Sequence, residues 1–144
     1  MPLTEKLLIL IMGLQALLAM GILVWMGMER VPRVMRGEIA VADIAVDRTA
    51  YPLRARLLSN NFDNQFQLPV LFYVACLLSL IVGGTGWAEV LLAALFVVLR
   101  YIHAAIHVTR NSVLHRFGVY FAGLVVLALL WLWLVLRILL APSV

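Results

Sequence analysis

The sequence predicts an all-α integral membrane protein with four transmembrane helices per protomer, packed as a left-handed bundle. Three observations lead there. The 144 residues are 65% hydrophobic and only 12% charged, against roughly 45–50% and about 25% in soluble domains, and the mean hydropathy is +1.08. Four apolar runs approach the ~20 residues needed to cover about 30 Å of hydrocarbon. Basic residues collect in two of the connections between them. This composition excludes a soluble globular domain, a disordered chain and a nucleic-acid-binding module. The single cysteine, Cys76, excludes an intrachain disulfide and a cysteine-based zinc site. It lies mid-span and reads as a small buried residue.

Taken in order, the first span covers about residues 7–28 and is interrupted only by Gln15. It is too long for a signal-peptide core and reads as retained. A polar linker over about 29–56 follows, carrying Arg30, Arg33, Arg36, Arg48, Arg54 and Arg56. The second span is predicted over 62–82. Its apolar part, 68–82, is short alone, and the preceding Asn- and Gln-rich stretch extends it as helix. Gly83-Gly84-Thr85-Gly86 is a tight break. The third span covers 87–108. After a short polar connection with Arg110 and Arg116, the fourth covers 117–141 and ends at Pro142. Trp131 and Trp133 lie deep in that last run, facing lipid or other helices. Four crossings put both termini on one side. The positive-inside rule places the two basic connections in the cytoplasm and the termini outside.

Ionisable side chains within spans are costly, by about 2.5–3.5 kcal/mol each on insertion scales, and are functional candidates by default. Asn60, Asp63, Asn64 and Gln67 share one helical face at the entry to span two. Pro69 frees a backbone carbonyl one turn back, which these amides can satisfy. Arg100, His103 and His107, at i, i+3 and i+7, form one stripe on the otherwise apolar span three. Arg116 and Tyr120 stand one turn apart at the start of span four. Each group alone has a plainer reading: a solvated helix start, a hydrogen-bonded structural cluster, and an interfacial anchor with its aromatic neighbour. His103 and His107 have metal-ligand spacing, and His115 and Asp63 are further donors, but no HExxH or comparable third ligand is present, so no metal is assigned. What favours function is convergence. All three groups fall at the same end of the bundle and build one anion-binding pocket, which a hydrophobic molecule can enter from the bilayer.

The run Arg100-x-x-His103-x-x-x-His107, followed by Arg116-x-x-x-Tyr120, resembles the third-to-fourth helix signature of the MAPEG family, the membrane-associated proteins in eicosanoid and glutathione metabolism. Asn64-Gln65-Phe66-Gln67-Leu68-Pro69 resembles that family's Asn-x-x-Glu segment with its following proline. The resemblance spans about residues 5–140 and lies closest to short bacterial members. It implies a homotrimer in a bacterial inner membrane, with glutathione as co-substrate held between protomers near the cytoplasmic face and a hydrophobic small molecule or lipid as the other partner. It implies Arg116 as stabiliser of the glutathione thiolate, with Tyr120 donating a hydrogen bond to sulfur. Asn60, Asn64, Gln67, Arg100, His103 and His107 become the residues that hold the ligand.

Three departures bear on that expectation. Gln67 stands where the family has glutamate. Asn60 and Asp63 stand where glutathione-dependent members carry arginines. Phe117 replaces the serine that often follows the thiolate-stabilising arginine. Asp63 repels ligand carboxylates unless Arg56 or Arg54 neutralises it. The activity implied is glutathione-dependent transfer or peroxide reduction on a lipid electrophile. The alternative is a non-enzymatic lipid-binding or scaffold member that does not use glutathione.

Overall fold

The computed structural model describes residues 1–45 and 47–141. These residues form α1 (Leu3–Met35), a short 3₁₀ turn (Val41–Ile44), α2 (Leu53–Asn64), α3 (Leu68–Val82), α4 (Trp87–Val108) and α5 (Val113–Leu140), with no strand among them. Four helical stretches are long and apolar enough to cross a membrane: α1, α2 with α3, α4 and α5. Pro142, expected to close the last span, lies outside the described residues. The first helix is longer than the apolar run that predicts it. It continues through Glu29, Arg30 and Arg33 to Met35, with Pro32 in its last turns, so the irregular part of the linker is shorter than 29–56.

Successive crossings run antiparallel, and α4 sits at the centre, touching α1, α2, α3 and α5 and packing most extensively on α5. Two apolar layers hold the helices together. In one, Leu8 of α1 meets Phe72 and Cys76 of α3, Val90 and Phe96 of α4, and Leu134 of α5. Phe72 and Phe96 stack with ring centroids 4.8 Å apart. The second layer, nearer the α1–α2 linker, is Ile22 against Leu58 and Val108. Trp131 is half-buried and donates to the Leu71 carbonyl at 3.2 Å, whereas Trp133 is exposed.

The second crossing is not one continuous helix. Residues 65–67 break it between α2 and α3. Pro69 cannot donate a backbone N–H and sits in the first turn of α3, so the helical ladder is interrupted there. The last turn of α2 tightens, with Gln65 N–H on Phe62 O at 2.9 Å and Phe66 N–H on Asp63 O at 3.1 Å. The Asn64 carbonyl accepts from Arg100 Nη2 of α4 at 3.0 Å. A buried amide chain braces the same break. Gln15 Nε2 donates to Gln65 Oε1 at 2.9 Å, Gln65 Nε2 to Asn61 Oδ1 at 2.8 Å, and Asn61 Nδ2 to the Ala104 carbonyl at 3.2 Å.

At the opposite end, Gly83 and Gly84 turn the chain at φ +78° and +69°, which side-chain-bearing residues rarely adopt. Arg137 Nη1 donates to the Gly83 carbonyl at 2.6 Å. Arg137 Nε lies 2.8 Å from Glu89 Oε1, an ion contact not aligned as a hydrogen bond. Glu89 Oε2 in turn accepts the Gly86 N–H at 3.1 Å, capping α4.

Candidate functional site

The α2–α3 break, the end of α4 and the start of α5 enclose a cavity of about 450 Å³. Asn60, Asp63, Asn64 and Gln67 form one wall, His103 and His107 the wall from α4, and Val113, Arg116, Phe117 and Tyr120 the wall from α5. Seven of the eight residues expected to act or bind therefore line one space. The eighth, Arg100, is buried behind it. Its guanidinium holds the Asn64 carbonyl and lies 6.0 Å from the centroid of the Tyr120 ring, so its direct contacts are with the cavity wall. The Asn64 carbonyl, next to the one that Pro69 frees, is thus met by an arginine from α4.

Each side chain is placed by its element. His103 and His107, one turn apart on α4, have ring centroids 5.7 Å apart, and His103 is equally close to the Tyr120 ring. Both imidazoles are only 2% exposed. His103 Nδ1 and both ring nitrogens of His107 lack a protein partner. They are buried polar atoms that a ligand can satisfy. The α4–α5 connection turns at Asn111, whose φ of +46° asparagine tolerates. Asn111 Oδ1 accepts from Arg116 Nη1 at 2.9 Å, orienting the guanidinium beside the cavity. Among the described residues no carboxylate is in ion-pair contact with Arg100 or Arg116. The two arginines leave a positive field that an anion can balance.

Asp63 has a different partner from the one expected. Arg54 lies over the Trp25 ring, 5.0 Å from its centroid, with its Nε 3.8 Å from Glu29. Arg56 makes no ion pair with Asp63. The partner is Arg48 from the linker, whose Nη1 is 2.6 Å from Asp63 Oδ2. That hydrogen bond, with the charge behind it, pushes the Arg48 pKa up, so Arg48 stays charged. Sequence reasoning placed Arg48 only in the polar linker, and no local pattern connects it to a residue fifteen positions on. Val113 also went unnoticed, being one apolar residue among many. Among the described residues no group of three or more His, Cys, Asp or Glu side chains is placed to hold a metal ion.

Four membrane-length helices, with a basic, imidazole-bearing cavity at one end, define a small integral membrane protein. The family model described as MAPEG family matches residues 8–136, nearly the whole chain, and the chain belongs to that family. No curated protein and no solved structure is similar enough to count as a match.

Proposed function

We propose that this protein is a glutathione-dependent transferase or peroxidase acting on a hydrophobic electrophile. We place it as a homotrimer in a bacterial inner membrane, with its termini outside and the cavity at the cytoplasmic face. The observation that carries the reading is Arg116, oriented by Asn111 and free of any carboxylate contact, in a cavity shared with Tyr120, His103 and His107.

A free thiol has a pKa near 8.5, so only a few per cent is thiolate at neutral pH. A guanidinium close to the sulfur stabilises the anion, and each unit of lowering corresponds to about 1.36 kcal/mol. Tyr120 supplies a hydroxyl donor, and the imidazoles and amides supply partners for the peptide groups. The thiolate electron pair then forms a bond to the electrophilic carbon as the leaving group departs with its electrons. On a hydroperoxide, sulfur takes the terminal OH as the O–O bond breaks, and the departing alkoxide takes a proton from water to leave as the alcohol. A second glutathione converts the sulfenic acid to the disulfide and water. Phe117 lines the cavity and stacks toward Phe121, with ring centroids 6.3 Å apart, giving the cavity an apolar flank for a lipid tail.

A second reading, non-enzymatic lipid binding or scaffolding, is favoured by the α2 wall. Asn60, Asp63, Asn64 and Gln67 supply no cation themselves, and Arg48 beside them is already paired with Asp63. Titrating glutathione into the detergent-purified protein at pH 7 while recording thiolate ultraviolet absorbance separates the two. A saturable signal that Arg116→Ala abolishes is expected. No signal at millimolar glutathione, with lipid co-purifying in the cavity, would establish the second reading instead.

A further inference from the structure

We infer that the α4–α5 turn carries a second site, in which Arg110, Ser112 and His115 hold the phosphate of an anionic phospholipid from the surrounding membrane.

A cavity of about 240 Å³ opens at this turn, lined by Ile106, Arg110, Ser112 and His115. None of these residues lines the larger cavity described above. The cation here is unbalanced. In the linker, Arg33, Arg36, Arg48 and Arg54 each contact a carboxylate. Arg110 is exposed and, among the described residues, has no such contact. From Val90 to the end of the chain the sequence contains no Asp or Glu, so α4 beyond its first turn and all of α5 lack a carboxylate to neutralise it. A planar guanidinium suits a phosphate through paired hydrogen bonds. Ser112 and His115 add a further donor. Ser112 Oγ lies 2.8 Å from His115 Nδ1, and in either neutral tautomer the pair keeps one O–H or N–H free to donate.

The membrane lipid is favoured over a free anion by what lies below the cations. Ile106 belongs to one apolar face of α4 that continues through Ile102, Val98, Leu95 and Leu91, four residues that are 44–66% exposed. At 1.5 Å per residue this face runs about 22 Å, longer than the ~15 Å that one leaflet contributes to the hydrocarbon layer. An acyl chain laid along it brings its phosphate to the end of α4, where Arg110 stands. A soluble phosphate would use the cations and leave the apolar face idle. A choline headgroup adds a cation beside Arg110 with no carboxylate on α4 or α5 to receive it, so an anionic headgroup fits better.

The test reconstitutes the full chain into vesicles of equal phosphatidylglycerol and phosphatidylcholine, extracts it again in mild detergent and counts the retained lipids by native mass spectrometry. The intact protein should retain phosphatidylglycerol about fivefold over phosphatidylcholine, the scale of one arginine at an anionic surface. Arg110→Gln should abolish the preference and Arg110→Lys should keep part of it. His115→Ala, on the other helix, should weaken it with Arg110 intact. Arg36→Gln, which removes an exposed linker arginine, should leave it unchanged. Thermal unfolding in the same detergent checks that the variants remain folded. Equal retention of the two lipids by the intact protein overturns the inference, as does a preference that survives Arg110→Gln. Loss of the preference in Arg116→Ala instead would place the lipid in the larger cavity and overturn it too. So would inorganic phosphate raising the unfolding midpoint as much as phosphatidylglycerol does, since the pocket would then take a free anion.

Discussion

Gly84 shows how little room single residues have where the chain reverses. Its φ is +69°, and a Cβ there would lie 3.0 Å from Arg137 Nη1. The left-handed conformation costs a side-chain-bearing residue roughly 1–2 kcal/mol, and the guanidinium must also give way. Gly84→Ala is therefore expected to destabilise the protein by about that amount, read as a lowered unfolding midpoint in detergent. Gly13→Ala, inside α1 with nothing within 4 Å, serves as the comparison that should lose no stability. At this scale the sequence discloses residue types and their spacing along one helix, which is why His103, His107, Arg116 and Tyr120 could be grouped before their positions were known. Partnerships across long loops leave no such trace. Arg48, fifteen residues from Asp63, competes on paper with Arg54 and Arg56, which are nearer in sequence. Only the path of the linker brings it to Asp63.

Among the elements, the α2–α3 break matters most to the site, since it presents Asn64 and Gln67 to the cavity. It depends on polar side chains from three helices. Gln15, the one polar interruption of the first span, is completely buried and supplies the donor for Gln65 Oε1. Gln15→Leu leaves that oxygen buried and unpaired, at an expected cost of about 1–3 kcal/mol. The effect should appear as a lowered unfolding midpoint and faster amide hydrogen exchange at residues 65–67. Unchanged exchange there would mean that Arg100 alone holds the break. Pro69 marks this place in the sequence, because a proline cannot continue the ladder of the helix before it. The polar stretch ahead of it nevertheless reads as unbroken helix, because Asn60, Asp63, Asn64 and Gln67 fall at helical spacing on one face. The donor that satisfies the Asn64 carbonyl comes from 36 residues away, beyond any periodicity.

For the whole molecule, hydropathy fixes the number of crossings, and the packing order follows from which apolar faces meet. The end opposite the cavity is tied by Glu89 and Arg137, whose side chains are 1% and 22% exposed. Removing one partner of such a pair strands the other, at about 3–5 kcal/mol, whereas replacing both by apolar residues is far less costly. Glu89→Leu and Arg137→Leu should each lower stability strongly, and the double variant should be more stable than either. Additive losses in chemical unfolding would show that the two charges act separately. The lengths of the helices carry a different consequence. At 1.5 Å per residue the fifteen residues of α3 cover only about 22 Å of a ~30 Å hydrocarbon layer. The polar turns of α2 must complete that crossing, which sets the cavity at the depth where acyl chains meet headgroups. On the function proposed above, a substrate with a fatty tail reaches it already dissolved in the leaflet. The quantity that fills the cavity is then the mole fraction of substrate in the membrane, so partition into lipid, more than solubility in water, decides which molecules the protein meets.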